Sequence, residues 1–199
     1  MKLYLHSGDA DEIRHEQRRG VMSGVTVDES GRAGQGIERR LDWLAAIAAA
    51  AHGPTCVTVE TAEPEGMVRE AVALAGLGAN VVVGLPPTPG GLQAIAACAP
   101  RGIRIQLRGY RSMTDIELGA RAGAQWFTPA LDAAASAFDV AEMVRVAVGA
   151  LRTYARSAPV LAGPLQTREQ AVEAGLAGAE VASVGLALLQ GVRGSAPPL

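Results

Sequence analysis

Apolar segments of two kinds alternate along the whole chain, and this alternation restricts the available folds more than any other feature. Short runs suited to strands lie at 3–5, 24–26, 55–59, 80–83, 103–107, 125–128, 159–162 and 180–184. Helical stretches are expected between and after them, at about 9–19, 37–51, 63–77, 89–98, 112–122, 138–153, 167–177 and 185–191. Strand–helix repeats with ordinary connection lengths predict a parallel sheet covered by helices. A weak echo fixes the phase: LGAN at 77–80, AGAQ at 122–125 and AGAE at 177–180 each stand where a helix gives way to a strand. Glycine there is expected at positive φ, ending the helix, with the alanine allowing close packing. Eight units averaging about 25 residues fit a closed α/β barrel, the compact (β/α)8 TIM barrel with a short C-terminus, better than an open doubly wound sheet. All 199 residues therefore read as one barrel domain, with 192–199 as a flexible tail.

Charge narrows the partners. The net charge is −2 and the 17 arginines are scattered, so nucleic acid is not expected as a partner. Cys56 and Cys98 fall in apolar segments and read as buried thiols. The N-terminus turns acidic before a signal-like apolar region develops, and no charge-free apolar span of 18 residues occurs, so the expectation is a cytoplasmic protein with no membrane partner. Lys2 is the single lysine, and lysine Schiff-base chemistry would have to use it.

A barrel places its chemistry at the carboxyl ends of its strands. In GIRIQLRG, Ile103, Ile105 and Leu107 suit the helix layer, which turns Arg104, Gln106 and Arg108 inward. The same parity turns Lys2, Tyr4 and His6 inward on the first strand, Thr26 and Asp28 on the second, and Thr58 and Glu60 on the third. His6, Asp28, Glu60 and Arg108 are expected to converge at the mouth, with Lys2 at the far end. His6, Asp28 and Glu60 are the candidate catalytic groups, since a histidine among carboxylates exchanges protons near neutral pH. Each has a structural alternative: a hydrogen bond holding the first loop for His6, an Asx turn for Asp28, and a cap or loop ion pair for Glu60. Arg108 and Arg111 are candidate anion binders, or else compensate buried carboxylates; Thr26, Thr58 and Gln106 complete the candidate substrate-binding set. One histidine and two carboxylates make a mixed ligand set, but their spacing is not compact and Arg108 opposes a cation, so no metal is expected and no cofactor either. The loop GLPPTPGG at 84–91 reads as a shaped connection at the mouth, with a glycine cradle for phosphate as its alternative; Gly163 and Gly185 give a faint further hint of an anion site.

Several segments, in order, resemble the small transaldolase and fructose-6-phosphate aldolase family: MKLYL, GVT, EGMVREA, VVVGLPPT with GLQAI, RAGAQWFTP, and QTREQA with LAGAE. The resemblance extends through about residue 190. It implies a barrel that makes or breaks a carbon–carbon bond through a lysine Schiff base on the fourth strand, in a segment like VVKVPVT. VVGLPPT at 82–88 matches that segment, with Gly84 at the lysine position. On the same resemblance His6 matches an acidic helper, Asp28 an asparagine, Thr58 a glutamine and Arg108 a threonine. The family's phosphate-end arginine, serine and tyrosine match Ala133, Pro164 and Arg111. These departures set the chain apart from a lysine Schiff-base aldolase or transaldolase.

Two functional readings follow. In the first, the barrel is an enzyme whose acid–base chemistry, of lyase, isomerase, dehydratase or cyclase type, acts on a small anionic metabolite of sugar-like character. In the second, it is a catalytically inactive relative that binds a metabolite or a partner. Relatives use an additional C-terminal helix in ring assemblies. This chain ends in VRGSAPPL, so a homodimer or small homo-oligomer is expected.

Overall fold

The computed structural model describes residues 1–30, 32, 36–132, 134–154 and 157–193. Eight strands are hydrogen-bonded in parallel: β1 (Lys2–Ser7), β2 (Gly24–Val27), β3 (Thr55–Thr58), β4 (Val81–Leu85), β5 (Ile105–Tyr110), β6 (Trp126–Pro129), β7 (Leu161–Leu165) and β8 (Val181–Val184). Their order is β6-β5-β4-β3-β2-β1-β8-β7, and a parallel bridge between Phe127 and Val160 joins the two ends. The Phe127 N–H donates to the Pro159 carbonyl at 3.1 Å across that seam. The helices are α1 (Ala10–Arg18), α2 (Ile37–Ala50), α3 (Pro64–Ala75), α4 (Pro89–Cys98), α5 (Met113–Ala122), α6 (Ala137–Thr153), α7 (Arg168–Leu176) and α8 (Leu186–Arg193). The molecule is a (β/α)8 barrel.

Local chemistry sets the helix starts. Ser112 with Asp115, Ser136 with Asp139 and Thr167 with Gln170 form reciprocal capping boxes, while Asp9 accepts from the N–H groups of Asp11 and Glu12. The expected GLPPTPGG loop is a strand–helix connection. Thr88 caps α4 by accepting from the Gly91 N–H at 3.1 Å, and a Cβ on Gly91 would stand 2.0 Å from the Pro86 carbonyl oxygen. Two of the three echo glycines, Gly123 and Gly178, have the expected positive φ of 115° and 104°. Gly78 is not among the glycines at positive φ; there a Cβ would stand 2.7 Å from Asn80 Oδ1, so close packing is what requires glycine. Helix α8 continues to Arg193, past the expected end at 191 and into the stretch expected as tail; 194–199 lie outside the described residues.

Side-chain parity divides two cores. Leu5, Val25, Val57, Val83, Ile105, Leu107 and Phe127 face the helices. Tyr4, Cys56, Val82, Leu161 and Val181, with Trp126 against them, fill the barrel interior. Both cysteines are buried, and burial pushes the Cys56 thiol up to about 12. Among the described residues, no helix is long and apolar enough to cross a membrane.

Candidate active site

His6 ends the inward face of β1 and pairs in register with Thr26 on β2. Its Nδ1 lies 3.2 Å from the Thr26 carbonyl oxygen and 3.0 Å from Thr26 Oγ1. A carbonyl can only accept, so the Nδ1 proton points to Thr26 and Nε2 keeps its lone pair. Thr26 Oγ1 in turn shares a hydrogen bond with Ser183 Oγ from β8, so the ring is braced from inside the barrel. Nε2 lies 3.9 Å from Asp28 Oδ1, too far for a hydrogen bond and near enough for electrostatic coupling. Burial lowers the His6 pKa, and Arg108 adds to this; Asp28 and the Thr26 hydrogen bond act against it. The imidazole is neutral near pH 7 and free to accept a proton.

Asp28 carries both of its expected roles in part. Its Oδ1 accepts from the Ser30 N–H at 2.9 Å, an Asx turn, and still faces His6. Hydrogen bonds from Ser30, more than the neighbouring His6, hold its carboxyl below the usual range. His6, Asp28, Ser30 and Arg32 border a cleft of about 410 Å3 together with Asp9 and Glu12. Another hollow, of about 420 Å3, lies beside the start of α6 near Leu131, Phe138 and Met143, and it contains none of the candidate residues.

Arg108 extends inward from β5. Its Cδ and Thr58 Oγ1 stand 3.5 and 3.3 Å from the point a Cβ on Gly84 would occupy. Burial lowers its pKa, with Cys56 and Glu29 opposing. Its guanidinium makes no hydrogen bond or ion pair among the described residues. Gln106, one inward position below, donates from Nε2 to Thr128 Oγ1 at 2.6 Å, while its Oε1 is buried without a partner.

The structure brings His6 and Asp28 together at the cleft, with Arg108 near enough to act electrostatically on His6, and it does not bring Glu60 to them. Glu60 lies beyond the end of β3, its carboxylate is 54% exposed, and its Oε1 is 3.5 Å from Arg40 Nε. Asp28 and Arg108 shift the His6 pKa and Glu29 acts on that of Arg108, whereas Glu60 acts on Arg40. Arg111 is exposed, and it is its backbone N–H that donates to Asp115. Thr26 is buried, and its hydroxyl is engaged by His6 and Ser183. Thr58 contributes its carbonyl to Arg40 at 2.6 Å and its hydroxyl to the space over Gly84. Lys2 is exposed at the opposite end of β1, and Ala133 lies outside the described residues.

The structure adds further inward groups. Thr128 and Ser183 face inward by the same period of two that places Gln106 and Arg108. Arg40 on α2 is almost fully buried and binds Glu29 at 2.7 and 2.9 Å, Glu70 at 2.6 Å and the Thr58 carbonyl at 2.6 Å. Glu70 also accepts from the Glu60 and Thr61 N–H groups and the Thr61 hydroxyl. No local pattern announces this network. Among the described residues no group of three or more histidine, cysteine, aspartate or glutamate side chains is placed to hold a metal ion.

Comparison with known proteins supplies the family. No protein-family model matches the chain. A "Probable transaldolase" of Roseiflexus sp. (strain RS-1) is 33% identical over 194 residues, covering 96% of this chain and 88% of that protein. A "Probable transaldolase" of Parabacteroides distasonis is 31% identical over 198 residues, covering 96% and 90%. In fold, the chain matches the crystal structure of a "putative lyase/mutase" from Burkholderia cenocepacia J2315 with a TM-score of 0.68 at 17% identity, over 97% of this chain and 80% of that one. With relatives matched along nearly its full length by sequence and a closed (β/α)8 barrel in its structure, the chain belongs to the transaldolase family.

Proposed function

We propose that this chain is a divergent transaldolase-family enzyme that has exchanged Schiff-base chemistry for acid–base catalysis on a small anionic metabolite. The observation that carries this reading is the stem of Arg108 beside Gly84, its guanidinium unpaired among the described residues. By resemblance, Gly84 stands where the family's lysine stands. The Arg108 stem would be in ordinary van der Waals contact with a side chain at 84, so the missing nucleophile and the cation share one part of the inner wall. An arginine stays protonated and forms no Schiff base, but it binds an anion and stabilises a developing oxyanion.

Proton transfer then falls to His6. Neutral Nε2 takes a proton from the substrate, the charge left on the substrate faces Arg108, and the imidazolium is stabilised by Asp28 at 3.9 Å. The Nδ1–H donated to Thr26 holds the ring in place through the transfer. Returning the proton to a different atom gives an isomerase outcome, and to a leaving group a lyase or dehydratase outcome.

The test is to incubate the purified protein with a small-metabolite extract and follow interconversion by mass spectrometry. Wild type converts a metabolite, His6→Ala loses about 10²-fold or more of that rate, and borohydride traps no covalent adduct. Binding without conversion by wild type overturns catalysis in favour of a metabolite-binding protein, and a borohydride-trapped adduct overturns the non-Schiff-base mechanism.

A further inference from the structure

We infer that the anion taken at this mouth is a short-chain hydroxycarboxylate of sugar-acid type, its carboxylate on Arg108 and a hydroxyl paired with Gln106. This rests on the anion-binding role of Arg108 proposed above and adds the ligand's chemical class. Two unsatisfied groups lie on one patch of inner wall. Gln106 is paired in register with Gly84 on β4, and the Arg108 stem lies beside that same glycine. Gln106 is 1% exposed, and its Oε1 has no donor although its Nε2 is used by Thr128.

Together they set two demands on a ligand. Arg108 requires negative charge, and an ionised carboxylate, which only accepts hydrogen bonds, leaves Gln106 Oε1 unserved. A hydroxyl close to the carboxylate serves it, and serves the amide equally well if its oxygen and nitrogen are exchanged, because a hydroxyl both donates and accepts. Charge balance favours a monoanion over a phosphate dianion. Arg40 is engaged by Glu29 and Glu70, Arg32 is stacked 4.3 Å over Trp43, Arg111 is exposed, and Arg104, whose Nε and Nη2 are also buried without a partner, lies deeper in the barrel near Tyr4 and Cys56. Above Arg104, the Arg108 guanidinium, unpaired among the described residues, matches one carboxylate in a planar two-point contact. No strand of the barrel turns a carboxylate inward among the described residues, and the acidic groups at the rim are engaged: Glu29 by Arg40, Asp28 by Ser30.

The inference is tested by calorimetric titration of the intact protein with glycerate, propionate, glycerol and glycerol phosphate. Glycerate is expected to bind wild type about tenfold or more tighter than propionate, corresponding to about 1.4 kcal/mol, with glycerol and glycerol phosphate weaker than glycerate. Gln106→Met is expected to bring glycerate and propionate within about threefold of each other; Gln106→Asn, which shortens the side chain but keeps its polarity, does the same should the methionine variant fail to fold. Arg108→Met loses both acids. Equal binding of glycerate and propionate by wild type, preference for glycerol phosphate, selectivity that survives at position 106, or no binding of any probe would each overturn the inference. Binding is read without turnover, so a hydroxycarboxylate held but never converted leaves this inference standing and defeats the catalytic one. Turnover of some other anion does the reverse.

Discussion

Arg40 is buried and Arg108 half-buried in the same barrel, and they are treated in opposite ways. Arg40 is bound by two carboxylates and a carbonyl through four of its five N–H groups, and ties α2 to α3 and the loop after β3. Burial alone would lower its pKa, but Glu29, Glu60 and Glu70 together hold it above the usual arginine range. Arg108 has no such partner among the described residues, and burial leaves its pKa lowered. A buried cation bound by carboxylates supports structure; one left without such partners is poised for something that arrives.

The sharpest way to break this comparison is Arg40→Met. It strands Glu29 and Glu70 in a poorly hydrated site, and a loss of about 3–5 kcal/mol is expected in urea unfolding. A loss under about 1 kcal/mol would deny the network its structural role. Arg108→Met is expected to act in the opposite direction. Removing an uncompensated charge leaves stability unchanged or raises it by about 1 kcal/mol while anion binding disappears; marked destabilisation would mean that Arg108 is a structural residue after all.

Acid should separate the two regions by degrees. His6 is lowered below its ordinary 6.5, so between the folded value and 6.5 the unfolded chain binds more protons than the native one. Its contribution is complete above 6.5 and is lost as pH falls through that window. Glu70 is lowered below 4.5, because bonds from Thr61, the Glu60 and Thr61 N–H groups and Arg40 outweigh the opposing effect of burial, so its contribution persists until pH falls below that value. Urea midpoints at pH 7.5 and 5.5 should differ in wild type and differ less in His6→Asn; an unaltered difference would deny His6 its buried neutral state. The smallest effect belongs to Glu60→Gln. Its half-exposed carboxylate adds one peripheral contact to Arg40, and stability is expected to stay within about 0.5 kcal/mol with turnover nearly unchanged. A turnover loss matching that of His6→Ala would restore Glu60 to the catalytic group.

Most of the barrel was legible before any coordinates. Alternation within GIRIQLRG turned Arg104, Gln106 and Arg108 from the helix layer, and the interior is where they lie, because a strand has two faces and its apolar residues claim one. Parity on the first strand placed His6 in the same way. Where a strand ends, that rule ends. Glu60 follows β3, and the direction of its side chain was decided by Arg40, 20 residues earlier in the chain. Gly78 shows a related limit, since a glycine reports a tight place without saying whether backbone angle or packing makes it tight.

The sequence by itself determined the repeat of strands and helices, the inward and outward faces of the strands, and the absence of a lysine at position 84, since all three are properties of neighbouring residues or of composition. Tertiary structure alone decided which polar groups complete one another. Thr26 meets Ser183 across a separation of 157 positions, and Arg40 meets Glu70 across 30. Such pairs exist only once the barrel has closed, because distance through space, and not order along the chain, sets the strength of a hydrogen bond or a charge pair. The same closure brings Arg108 beside Gly84 and leaves its guanidinium unpaired among the described residues.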